Sequence, residues 1–132
     1  MLSESLKGVI SQVLCKRIGG GRVAAREIML STPSVSNLIR EGKTFQLPSV
    51  LQTSRKLGMV TMNDALIELV DGSLVEPREA YLKATDKTGI LHMLKQRGKD
   101  VSFADPDEVR AAAAAHRAEA TKATGRPTTA NR

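Results

Sequence analysis

"QVLCKRIGGGRVAAREIML", residues 12–30, decides the fold. Two apolar-rich runs flank three consecutive glycines, Gly19, Gly20 and Gly21. In the second run Val23, Ala25, Glu27 and Met29 alternate with Ala24, Arg26, Ile28 and Leu30. A period of two sends successive side chains to opposite faces of a strand. Glycine adopts positive φ at no steric cost, so a triplet between two such runs reads as a turn. The spacing predicts two strands joined by that turn. A phosphate-binding loop is the competing reading. It requires Gly-x-x-x-x-Gly-Lys-Ser/Thr ahead of a helix, so that amides and a lysine cradle the phosphates. "GGGRVAA" has no following Lys-Ser/Thr and leads into a strand.

Upstream, Leu6, Val9, Ile10, Val13 and Leu14 recur at i, i+3, i+4, i+7 and i+8. That spacing predicts one face of a helix, with Ser3 or Ser5 as its cap. Its end competes with the first strand for residues 12–14.

Downstream, helices follow one another. "STPS" at 31–34 reads as a helix start, with Thr32 as cap and Pro33 in the first turn. Val35, Leu38 and Ile39 form its apolar stripe, and Gly42 stops it. Pro48 then separates this helix from "SVLQTSRKLGM", a second short helix closed by Gly58. In "TMNDALIELVDG" the residues Met62, Ala65, Leu66, Leu69 and Val70 share a face. Thr61 and Asp64 make a capping-box-like pair there, and Gly72 ends the helix. "EPREAYLKA" and "DKTGILHMLKQRG" supply two more, with Ile90, Leu91 and Leu94 inward. After Phe103 the composition changes. "DPDEVRAAAAAHRAEATKA" starts with Asp105 as cap and predicts a solvated helix with little to bury, because its five successive alanines favour helix but carry little apolar surface. "TGRPTTANR" at 124–132 reads as disordered.

The chain has 132 residues and 41% hydrophobic content, enough for one ordinary domain with a real core. Phe45, Tyr81 and Phe103 are its aromatics, so that core is aliphatic. No apolar run approaches the ~20 residues of a membrane helix. "MLSESLKGVI" does not read as a signal peptide, and a single cysteine, Cys15, cannot close an internal disulfide. A cytoplasmic setting is expected.

Net charge is +6, and its excess sits in residues 1–60, with nine Lys/Arg against three Asp/Glu. Between Glu41 and Asp64 stand Lys43, Arg55 and Lys56 with no acid. Such a half could meet nucleic acid, an acidic protein surface or a nucleotide. A solubilising surface explains so small an excess more simply. Stacking aromatics are scarce and no helix carries a dense basic face, which speaks against nucleic acid. Cys15, followed by Lys16 and Arg17, lacks a histidine partner and reads as a packed thiol. His92 and His116 are far apart in sequence, and His92 reads as a helix-boundary residue. No residue is assigned as catalytic, cofactor-binding or metal-ligating.

"LSESLKGVISQVL", "GGGRVAAREIM", "TPSVSNLIREGKTFQLPSVLQTSRKLGM" and "TMNDALIELV" follow in order at natural spacing. Together they resemble the C-terminal half of the motor domain of type IV pilus retraction ATPases, the PilT family of secretion ATPases. The resemblance covers roughly residues 2–84. It implies a mixed α/β fold: a β-hairpin or edge strands packed by several short helices, as in the C-terminal part of a RecA-like secretion ATPase domain. It divides the chain into a PilT-like portion, 1–103, and an alanine-rich helix with a tail, 104–132. The family is hexameric and uses ATP and magnesium. Its phosphate loop, acidic boxes and histidine box lie upstream of the matched segment, so a truncated or split subunit, inactive alone, is expected. Its partners would be complete motor subunits in a hexamer or the pilus machinery at the inner membrane. Two alternatives stand beside it: a small interaction module docking on a motor ring or another acidic partner, and a weak nucleic-acid binder.

The family also carries a helix read as Ala-Ile-Arg-Asn-Leu-Ile-Arg-Glu, associated with retraction. Ser34, Val35, Ser36, Asn37, Leu38, Ile39, Arg40 and Glu41 stand at its positions. Asn37 to Glu41 match outright, Val35 is conservative, and Ser36 replaces the first arginine. Phe45 stands where a histidine is common. By this resemblance Leu38 and Ile39 face the core, and Arg40 and Glu41 are the polar positions for subunit or partner contacts.

Overall fold

The structure, a computed structural model, describes residues 1–123. The segment 124–132, expected to be disordered, lies outside the described residues. The glycine triplet does join two strands. Strand β1 (Gly8–Lys16) and strand β2 (Arg22–Leu30) run antiparallel, in register from Gly8 opposite Leu30 to Lys16 opposite Arg22. Gly19, Gly20 and Gly21 have φ of 87°, 109° and 77°, a region that side chains with a Cβ avoid.

The helix expected across Leu6 to Leu14 is a strand instead. Only Leu2–Ser5 is helical (α1), and neither Ser3 nor Ser5 caps it. Val9, Ile10 and Val13 are β-branched, and β2 offers them a complete ladder of backbone partners. Cross-strand pairing outweighs a helical period that no neighbouring surface uses. The two faces of the hairpin then differ. Inward, Cys15 and Ala25 are buried, with Val13 and Val23 half-buried beside them. Outward, Ile10 and Leu14 stay 71% and 47% exposed.

Helix α2 (Pro33–Arg40) begins as the sequence predicts, with Thr32 Oγ1 accepting from the Val35 amide (3.4 Å). Gly42 follows at φ 69°. A 3-10 turn (Thr44–Gln46) leads into α3 (Leu47–Thr53). Pro48 thus lies in the first turn of α3 rather than between helices, where its missing N–H costs nothing. A second 3-10 turn (Arg55–Leu57) ends at Gly58, φ 89°. Val60 then pairs with Ile28 of β2 through two backbone bonds (2.9 and 3.0 Å).

Helix α4 (Met62–Asp71) is fixed at its start twice. Thr61 Oγ1 accepts from the Asp64 amide, and Glu27 Oε2 on β2 accepts from the Met62 amide (3.0 Å). Two of the amides a helix start leaves orphaned are thereby satisfied. Helices α5 (Pro77–Lys83) and α6 (Lys87–Gln96) close over it. Leu66, Ile67, Val70, Ile90 and Leu94 join Cys15 and Ala25 in the main core. Ile67 lies outside the expected stripe, because α4 touches the sheet, α5 and α6 and so is buried over a wide arc. Helix α7 (Pro106–Ala123) starts with Asp105 Oδ1 accepting from the Asp107 amide. It is not simply solvated: Ala112 is buried with Leu91 and Ala104, and Tyr81 OH donates to Glu108 Oε2 (2.7 Å). Small side chains let the two helix backbones approach closely.

Candidate functional site

The corner built by α2, α3 and their turns carries the sequence-predicted positions. A small separate core holds it: Val35, Leu51 and Met59 are buried, with Met29, Ile39, Leu47 and Val50 packed around them. Val35 is the anchor of α2. Ile39 joins the cluster as expected. Leu38 is only half-buried and is not part of it. The reason is helical geometry: about 100° separates successive residues, and Val35 and Ile39 stack one turn apart while Leu38 falls to the side.

The opposite face of α2 is polar. Ser34, Asn37, Arg40 and Glu41 are all exposed. Arg40 Nη1 donates to Asn37 Oδ1 (3.3 Å), one turn back on the same face. Ser36, at the position of the family's first arginine, shares a hydrogen bond with the Ser31 hydroxyl (3.2 Å). That hydroxyl turns toward the chain entering the helix, not toward a partner.

The acid-free run between Glu41 and Asp64 takes its counter-charges from its two flanks. Lys43 Nζ pairs with Glu41 (2.8 Å), and Arg55 Nη2 pairs with Asp64. The hydrogen bond from Lys43 holds the Glu41 carboxyl below the ordinary glutamate range, with the Lys43 and Arg40 charges adding to it. Asp64 also accepts from the Thr61 hydroxyl (2.7 Å), so one carboxylate joins the α3 side of the corner to the start of α4. The sequence signalled Asp64 only as a capping partner. Arg55 as its clamp is a long-range contact that no local spacing encodes. Phe45, 77% exposed, stands on the 3-10 turn between the two helices.

Outside this corner, nucleophile and metal chemistry find little. Cys15 is fully buried, and burial, with Glu79 adding, raises its thiol above the ordinary range. It is the packed thiol the sequence predicts. His92 is half-buried on α6, at the boundary expected of it. Among the described residues no group of three His, Cys, Asp or Glu side chains could hold a metal ion. The glycine triplet is an open turn, with nothing within 4 Å of where a Cβ would stand.

No family profile matches the chain. Relatives do. Over 84 residues, 64% of its length, the chain is 55% identical to the type IV pilus retractation ATPase PilT of Pseudomonas aeruginosa, covering 24% of that protein. The matched segment is PilT-like. It is also 52% identical over 85 residues to a twitching motility protein of Neisseria gonorrhoeae, covering 64% of this chain and 23% of that one. A crystal structure of the pilus retraction motor PilT with bound ADP superimposes on 64% of this chain and 23% of its own, at 39% identity and a TM-score of 0.55. The hairpin and its short helices therefore have the fold of part of a PilT motor. The chain spans about a quarter of the length of the curated relatives it matches. Among the described residues no helix is long and apolar enough to cross a membrane.

Proposed function

We propose that this chain supplies the C-terminal portion of a type IV pilus retraction motor subunit, acting in twitching motility. In this reading ATP and magnesium are handled by a nucleotide-binding portion outside these 132 residues. The chain works in the cytoplasm beside complete subunits of a hexameric ring, at the pilus machinery of the inner membrane, and hydrolyses nothing alone. Residues 1–103 form the motor-derived portion, and 104–132 an added helix and tail. The observation that carries the reading is the 84-residue match at 55% identity to a retraction ATPase. The polar face of α2 supports it. Arg40 and Glu41 are exposed on a helix whose other face is packed, so their loss would change a contact without emptying a core.

The test is a chimera in which residues 2–84 replace the matching segment of a complete PilT. The chimera is expected to hydrolyse ATP and support twitching. Arg40→Ala within it is expected to leave a folded ring with impaired twitching. A folded chimera that neither hydrolyses ATP nor supports twitching would overturn the reading.

A further inference from the structure

We propose that Asp64 is a positioning residue: by clamping Arg55 it sets the angle at which the corner stands on the body, and so the direction in which the polar face of α2 points. The functional half of that statement rests on the reading above, in which Arg40 and Glu41 meet a partner. The structural half rests on contacts within this chain alone.

The clamp is built from the body outward. Glu27 Oε2 on β2 holds the Met62 amide, which ties the first turn of α4 to the sheet. Thr61 Oγ1 accepts from the Asp64 amide (3.2 Å), and the Thr61 hydroxyl donates back to Asp64 Oδ2 (2.7 Å). One carboxylate oxygen is thereby committed, and the side-chain torsions of Asp64 with it. The other oxygen, Oδ1, accepts from Arg55 Nη2. An acid in the first turn also suits the dipole of α4, so the place of Asp64 does not depend on Arg55. The Asp64 side chain is 17% exposed and that of Arg55 55%. The carboxylate is the fixed member of the pair, and the guanidinium is the one held. Arg55 opens the 3-10 turn after α3, and α3 shares a core with α2 through Leu51, Val35 and Ile39. What holds Arg55 therefore holds both helices.

The other contacts between corner and body are of a different kind. Met29 of β2 packs into the corner's core, and α1 lies beside α2. Apolar packing has no preferred direction, so it keeps the corner close without fixing its tilt. Val60 pairs with Ile28 at a single point, just after Gly58 turns the chain at φ 89°. A bridge at one residue, next to a glycine bend, leaves rotation about itself open. Arg55 precedes that bend and Asp64 follows it, so their bond closes a loop across it. A charge-assisted hydrogen bond is short and angular, which is what a fixed tilt requires. The pair is partly exposed and adds little to stability. Its loss should re-aim the corner rather than unfold it.

Residual dipolar couplings of the backbone amides test this on the full 132-residue chain. Arg55 is the cleaner target, because Asp64 also helps to start α4. In the parent, α2 and α3 should share one alignment frame with α4 and α6. Arg55→Ala should melt like the parent and keep α4 and α6 in that frame, while the couplings of α2 and α3 depart from it or shrink. Arg55→Lys keeps a cationic donor and should restore most of them. In the PilT chimera, Arg55→Ala should lower twitching severalfold with ATP hydrolysis unchanged, and Arg55→Lys should recover it. Unchanged couplings in α2 and α3 of Arg55→Ala overturn the proposal, as does a lysine variant that recovers nothing. Should Arg55→Ala fail to fold, the pair is merely structural and the proposal falls. Twitching unaffected by Arg55→Ala overturns the functional half. A parent chimera that is inactive counts against the motor reading instead, and the couplings then decide the clamp by themselves.

Discussion

Two parts of this molecule are built from the same kinds of residue and held very differently. In the main core, α4 and α6 bury Leu66, Ile67, Ile90 and Leu94 against the inner face of the hairpin. In the corner, α2 and α3 rest on Val35, Leu51 and Met59, ringed by half-buried neighbours. The corner meets the body through Met29 of β2, which packs into the corner's core, through α1 beside α2, through Val60 paired with Ile28, and through the Arg55–Asp64–Thr61 chain of polar contacts. Local stability follows buried apolar contact, so the corner should open before the body does.

The difference is sharpest under truncation. Leu66→Ala, at a fully buried position, should cost ~2–5 kcal/mol, with thermal melts showing global loss of structure. Domains of this size hold only ~5–15 kcal/mol in total. Leu51→Ala in the corner should cost about 2 kcal/mol, the low end of that range, because half-buried neighbours can collapse into the space. Equal costs at the two sites would erase the distinction.

Thr61→Ala probes the joint between the two parts. It removes the cap of α4 and a hydrogen bond to Asp64, and should cost ~1 kcal/mol by denaturant titration. Loss of the corner's protection with the body intact would sharpen the comparison further.

On the polar face effects should be small. Arg40→Ala should move stability by no more than ~0.5 kcal/mol. Leu38, read from its spacing as a core residue, is half-buried, so Leu38→Ala should fall well below Leu51→Ala in the same melts. Glu41 should titrate below an ordinary glutamate, and Lys43→Ala should return it toward the usual range by NMR titration. A carboxylate with a lowered folded-state pKa contributes stability above its unfolded pKa and loses it as pH falls through the folded one. Glu41 is exposed, so that contribution is screened and slight.

Much of this architecture was legible because local chemistry and tertiary packing agree. The glycine triplet, the Thr32–Pro33 start and the Thr61–Asp64 pair each specify backbone geometry within a few residues. Residues 8–14 misled for a physical reason. Ile10 and Leu14 point outward, so the strand lacks the alternation that marks a half-buried sheet, and a helical period fits the same residues. The burial of Ala112 was hidden because alanine gives no hydrophobic signal in sequence yet permits close helix contact. In the corner, the positions singled out on α2 came from resemblance. The counter-charges of its basic run came from the fold, since Arg55 and Asp64 meet only when α3 and α4 are placed.

Native-state hydrogen exchange on the 132-residue chain tests the central claim most directly. Amides in α4 and α6 should exchange only through global unfolding, and those of α2 and α3 through a separate opening of lower free energy. Matching protection in all four helices would show one cooperative body and contradict the account.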